Sequence, residues 1–157
     1  MRRAGRTTRK AFTLIEVLLV IGILVVLGTV SVVAYSRIKA GADRNAAKVL
    51  VDNTVHALGI YQASVGTYPD TEQGLQALLT APEDEKLAEK WRNGGGPFLK
   101  DGKIPVDPWG NEVHYELVTA TGTETEGPTV HVWSVGPNGQ DGDDDDIRSW
   151  SEEQTGT

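Results

Sequence analysis

Two groups of carboxylates stand where carboxylates are costly. The first is a single residue, Glu16, near the start of an otherwise apolar run from Ala11 to Ala34. An acid in hydrocarbon costs roughly 2.5 kcal/mol or more, so it is rare there and usually has a partner. The plainer alternative is an acid at the interface, snorkelling to water from an ordinary anchor. The second group lies between Gly136 and Ile147, where Asp141, Asp143, Asp144, Asp145 and Asp146 crowd with Asn138 among glycines. Neighbouring carboxylates repel. A hard cation relieves that, and Ca²⁺ takes about 6–8 oxygens from carboxylates, Asn side chains and backbone carbonyls. A solvated acidic tail is the commoner use of a charge run, and composition leaves both readings open. An EF-hand is excluded. Asp141, Asp143, Asp145 and Glu152 fall at its positions 1, 3, 5 and 12, but Asp146 stands where the sharp turn needs Gly.

Other chemistry is thin. His56, His114 and His131 are scattered. His114 and His131 are placed to face each other across a hairpin, but no zinc-ligand spacing accompanies them, so structural or exposed roles are expected. Ser134 or Ser149 with His131 and an Asp forms a triad only on paper, because no nucleophile elbow surrounds either serine. Trp91, Trp109, Trp133 and Trp150 suit core and hairpin packing better than a ligand platform. No enzyme is expected.

The positioning elements follow from charge and periodicity. Arg2, Arg3, Arg6, Arg9 and Lys10 precede the apolar run without an acid among them. Val17 to Ala34 carries no ionisable group, long enough for the ~18–20 residues of a membrane-crossing helix. A secretory signal peptide has a shorter apolar core and no acid inside it. The basic start is expected to stay cytoplasmic and the rest to be exported. The formal charge of −7, with an acidic C-terminal part, argues against nucleic acid as a partner. With no cysteine, no disulfide closes the exported part.

After Ala34, Ala47, Leu50, Thr54, Leu58, Tyr61 and Val65 recur at helical steps, widened by Val51 and Val55. The expectation is one helix from Phe12 to Val65, roughly 80 Å long at 1.5 Å per residue, stopped by Gly66 as a left-handed C′ residue. Asp70 or Thr71 is expected to cap a short helix docked by Leu75, Leu78 and Leu79. Glu83 to Trp91 forms another, and Pro105 to Asn111 a rigid turn. Val113–Thr119 and Val130–Val135 alternate as strands of an antiparallel hairpin, with Trp133 and Val135 on one face. The fold class is α+β: a long helix packed on a small antiparallel sheet.

Ala11-Phe12-Thr13-Leu14-Ile15-Glu16-Val17 closely resembles the class III signal of type IV pilins and pseudopilins. The resemblance implies cleavage between Ala11 and Phe12 by a prepilin peptidase that also methylates Phe12, although the family usually has Gly where Ala11 stands. It implies that Glu16, at the fifth mature position, pairs with the N-terminal amine of a neighbouring subunit. Relatives usually have Pro where this chain has Val33. Tyr68-Pro69-Asp70-Thr71-Glu72-Gln73-Gly74-Leu75-Gln76-Ala77-Leu78, Pro105-Val106-Asp107-Pro108-Trp109-Gly110-Asn111, Ala42-Asp43-Arg44 and the Ser134-to-Trp150 ending are similar to the type II secretion major pseudopilins, the protein G family. The match covers essentially the whole mature chain. That resemblance implies a leader at residues 1–11, a membrane or fibre-core helix at 12–34 and a periplasmic domain at 35–157. It implies a helical homopolymer working with minor pseudopilins and an inner-membrane assembly platform. It also implies one structural Ca²⁺ in the C-terminal loop. By motif, Asn138 (usually Asp), Asp144 and Asp146 are the ligands, Asp143 is a further candidate, and the carbonyls of Val135 and Gln140 complete the shell. Asp141 or Asp145 can compensate for the charge missing at Asn138. The other functions weighed are an adhesive or motility pilin and a membrane-anchored calcium-binding module.

Overall fold

A computed structural model describes residues 12–118 and 127–151, with the backbone alone for 30–33. The expected leader, with Ala11, lies outside them, as does Thr119 at the end of the first expected strand. Helix α1 spans Leu14–Val65. It starts just after the expected Phe12 because Thr13 takes the N-cap: its Oγ1 accepts the Glu16 N–H at 3.3 Å. Thr13-Leu14-Ile15-Glu16 is therefore a capping-box sequence, with the acid in the helix's first turn. The chain divides into two compact units after Ala40, and α1 contributes to both.

In the first unit the described large apolar side chains are exposed. From Leu14 to Leu27 the large ones lie between 46% and 81% exposed. One window of this helix is long and apolar enough to cross a membrane, with a mean hydropathy of 3.0.

The second unit has a core. Ala47, Val51, Thr54, Leu58, Tyr61 and Val65 are buried along one face of α1, as the periodicity predicts, with Leu50 and Val55 at its margin. Thr54 is tolerated there because its hydroxyl donates to the Leu50 carbonyl at 2.8 Å. Gly66, at φ +103°, ends the helix, and Lys90 Nζ donates to the freed Val65 carbonyl at 3.3 Å.

The segment after Pro69 departs from expectation. It forms only a 3₁₀ turn, Gly74–Leu78, with no side-chain cap. Thr71 is unavailable, because its Oγ1 accepts the Leu117 N–H. Leu75, Ala77 and Leu78 are the buried residues, rather than Leu79. Helix α2, Glu85–Asn93, is capped by Asp84, whose carboxylate accepts the N–H groups of Lys86 and Leu87. Its Trp91 is buried and donates to the Ala77 carbonyl at 2.9 Å.

Strands β1 (His114–Val118), β2 (Thr129–Ser134) and β3 (Ile147–Arg148) form one antiparallel sheet in that order. The hairpin was legible; β3, with only two paired residues, was not. The face assignment of β2 is corrected. Val132 and Ser134 are buried, with Val130 packed against the core. Trp133 lies on the opposite face, stacked on His114 at 5.3 Å. Val135 is buried beyond the strand end. The two histidines do not pair, since the register sets His114 against Trp133 and His131 against Glu116. His131 instead stacks on Trp150 at 3.9 Å between centroids and 8° between planes.

Candidate assembly helix and C-terminal loop site

Glu16 and Phe12 sit at the start of α1, and Phe12 is 80% exposed. Among the described residues, no hydrogen bond or ion pair joins the Glu16 side chain to a basic group. Its backbone N–H is satisfied by Thr13.

The loop between β2 and β3 is built on β2's end. Ser134 is fully buried and donates to Asp107 Oδ2 at 2.6 Å. Asp107 also accepts the backbone N–H groups of Trp109 at 3.0 Å and Asn111 at 2.8 Å, and Asn111 Nδ2–H at 3.3 Å. Burial pushes the Asp107 carboxyl up, but the hydrogen bonds from Ser134, Asn111 and Trp109 outweigh it and hold the group below its ordinary value.

Past Gly136 the side chains named by the sequence come partly together. Asn138 Nδ2 donates to Asp143 Oδ2 at 2.6 Å and to Asp145 Oδ1 at 2.8 Å. Its Oδ1 accepts the Gln140 N–H. Asp143 and Asp145 titrate against each other. Hydrogen bonding from Asp145 and then Asn138 holds Asp143 down, while the same contact with Asp143 pushes Asp145 up. The Asp146 carboxylate is enclosed, at 1% side-chain exposure, and paired with Arg148 at 3.0 Å. Its Oδ2 also accepts the Gly142 N–H, while its buried Oδ1 has no donor. Asp144 stands apart. It is exposed, and its backbone carbonyl accepts from Arg44 at 3.4 Å. Asp141 accepts the Trp133 indole N–H at 2.8 Å.

The donor set suits a hard cation in part. Asp143, Asp145 and Asp146 offer oxygens only, and an orphaned buried carboxylate oxygen calls for a positive neighbour. The Asn138 amide nitrogen lies between two carboxylates; a half-turn about its last torsion exchanges that donor for an oxygen. Among the described residues, however, no three His, Cys, Asp or Glu side chains converge as a ligand cluster. Two residues that shape the loop, Asn111 and Arg148, carried no ligand signal in sequence. The motif at 105–111 reads as a turn and as part of the family resemblance, and only the structure shows its Asp107 carboxylate buried.

A capped helix with an uncovered apolar first part, and a small α+β unit built on its second part, define a pilin-like protein. The profile of type II secretion system (T2SS), protein G, matches residues 35–150. The type II secretion system core protein G of Klebsiella pneumoniae is 37% identical over 145 residues, covering 91% of this chain and 95% of that protein. The corresponding protein of Pseudomonas aeruginosa is 35% identical over 151 residues, covering 92% and 97%. The crystal structure of the major pseudopilin from the type 2 secretion system of enterohaemorrhagic Escherichia coli superposes with a TM-score of 0.51 at 29% identity, covering 71% of this chain and 90% of that one. The chain belongs to the type II secretion protein G family and is a structural pseudopilin subunit.

Proposed function

We propose that the chain is the major subunit of a periplasmic pseudopilus that helps drive folded proteins across the outer membrane. A prepilin peptidase cuts between Ala11 and Phe12 and methylates the new N-terminus. The helix from Phe12 to Ala34 holds the subunit in the inner membrane, cytoplasmic end first, and then enters the fibre core. Minor pseudopilins and an inner-membrane platform assist assembly. The mature protein does no bond chemistry. One observation carries this reading: the apolar side chains from Leu14 to Leu27 are exposed in the single chain, with Glu16 the one ionisable residue among them. An apolar surface of that extent needs lipid or copies of itself. The Glu16 carboxylate would be neutralised there by the amine of Phe12 on a neighbour, which selects the axial register. Glu16→Ala should leave leader cleavage intact and abolish fibres, read by immunoblot and by electron microscopy of sheared fibres. Normal fibres from that variant would sink the pairing.

The same subunit is proposed to hold one structural Ca²⁺ in the loop after β2. Asn138, Asp143 and Asp146 are the side-chain ligands, Asp145 supplies the charge that Asn138 lacks, and Asp144 and backbone carbonyls of Val135 and Gln140 are the remaining donors. The ion supplies charge neutralisation and a tie between β2 and β3. The support is the orphaned Asp146 Oδ1 and the Asn138 amide set between Asp143 and Asp145. The full chain in detergent should unfold several degrees higher in calcium than in chelator, since a native-only ligand at 100 times its Kd adds about 2.7 kcal/mol. Equal midpoints would make the loop a solvated acidic segment.

A further inference from the structure

The turn at Pro105–Asn111 does more than reverse the chain. Asn111 Nδ2 donates to the Gly136 carbonyl at 2.9 Å, and the Gly136 N–H donates to Ser134 Oγ at 3.2 Å. Both Asn111 and Ser134 are themselves hydrogen-bonded to Asp107 Oδ2, at 3.3 and 2.6 Å. Gly136 is thus gripped on both of its backbone polar groups by side chains that one buried carboxylate holds in place. The grip reaches the acidic loop directly. Gly136 has φ +66°, and a Cβ there would stand 2.6 Å from the Asp145 carbonyl oxygen and 3.0 Å from Asp145 Oδ2. Only glycine lets the two backbones lie this close.

We infer that Asp107, Asn111 and Ser134 form the positioning clamp of the calcium loop. By fixing Gly136 they fix the wall against which Asp145 is set, and so the spacing of Asp145 from Asn138 and Asp143. The inference rests on the calcium reading above. None of the three residues is a ligand; they act through Gly136. Metal sites depend on such outer hydrogen bonds, whose loss typically costs about 10–100-fold in affinity. Without the ion the crowded carboxylates drive the loop apart, so the clamp contributes most in the loaded state.

The test is Asn111→Ala in the full chain, solubilised in detergent and titrated with calcium by calorimetry. This change removes the strut to Gly136 and leaves the Asn111 backbone N–H on Asp107. Calcium should bind roughly tenfold more weakly. The thermal midpoint in calcium should fall further than the midpoint in chelator. Ser134→Ala, which releases the Gly136 N–H instead, should weaken calcium in the same direction and serves as the second variant should Asn111→Ala fail to fold. A calcium Kd within twofold of the parent's in a folded variant, with equal midpoint losses in calcium and chelator, would overturn the clamp and leave a merely structural turn. No calcium binding by the parent chain would sink the metal reading itself, a result distinct from equal binding by parent and variant.

Discussion

The two parts of α1 carry their apolar side chains to opposite ends. In the part beginning at Gly41, Leu58 is 0% exposed and every buried apolar neighbour on that face has a partner within the chain. In the part before it, Leu24 is 61% exposed. A helix is stabilised in a protein chiefly by tertiary packing of a face, not by propensity. One part therefore records how this chain folds, and the other records that its partner comes from outside it.

The comparison breaks if both parts respond alike to the same substitution. Leu58→Ala should cost about 2–5 kcal/mol, the range for opening a cavity in a packed core. Leu24→Ala should change unfolding of the detergent-solubilised chain by less than about 0.5 kcal/mol, as for an exposed site. Denaturant unfolding followed by tryptophan fluorescence reads both. Similar losses would mean that the first part packs within its own chain.

A smaller effect sharpens the contrast from the folded unit's side. Burial lowers the pKa of His131, and Glu116 opposes it only partly. The unfolded chain, with His near its ordinary value of 6.5, takes up the proton first as pH falls. The stability this histidine contributes is therefore present above about pH 6.5 and is lost as pH drops through the lower folded value. As pH falls below about 6.5 the thermal midpoint should therefore drop through this group, read by melts taken across that range. His131→Phe, which keeps the stack on Trp150, should remove that part of the slope. An unchanged slope would assign the pH response to other groups.

Most of the architecture was legible because it rests on period. The stripe from Ala47 to Val65, the Glu83-to-Trp91 helix and the β1–β2 hairpin all repeat a pattern long enough to read. What was missed has no period. Strand β3 pairs through Trp133 with Arg148 and Ser134 with Ile147 alone, too short for alternation to appear. Alternation alone left the inward face of β2 unassigned, and a buried serine, satisfied by Asp107, stands on it beside Val132. Thr71 was lost as a cap to a strand remote in sequence, Leu117. In the loop, the acids announced themselves by composition. That Asp145 meets Asn138 while Asp144 stays exposed is set by contacts that a string of aspartates cannot reveal.

The end of the described chain is held without a covalent link. Ser149 donates its N–H to the Val132 carbonyl and accepts the Val132 N–H on its hydroxyl, and Trp150 lies flat on His131. A disulfide would make this closure permanent until reduced. Here it rests on hydrogen bonds and ring stacking, contacts that can open and reclose without chemistry. Oxidant and reductant have no hold on it, and the closed end is held by one backbone bond, one bond from a backbone N–H to the Ser149 hydroxyl, a pair of stacked rings and whatever neutralises the acids beside them.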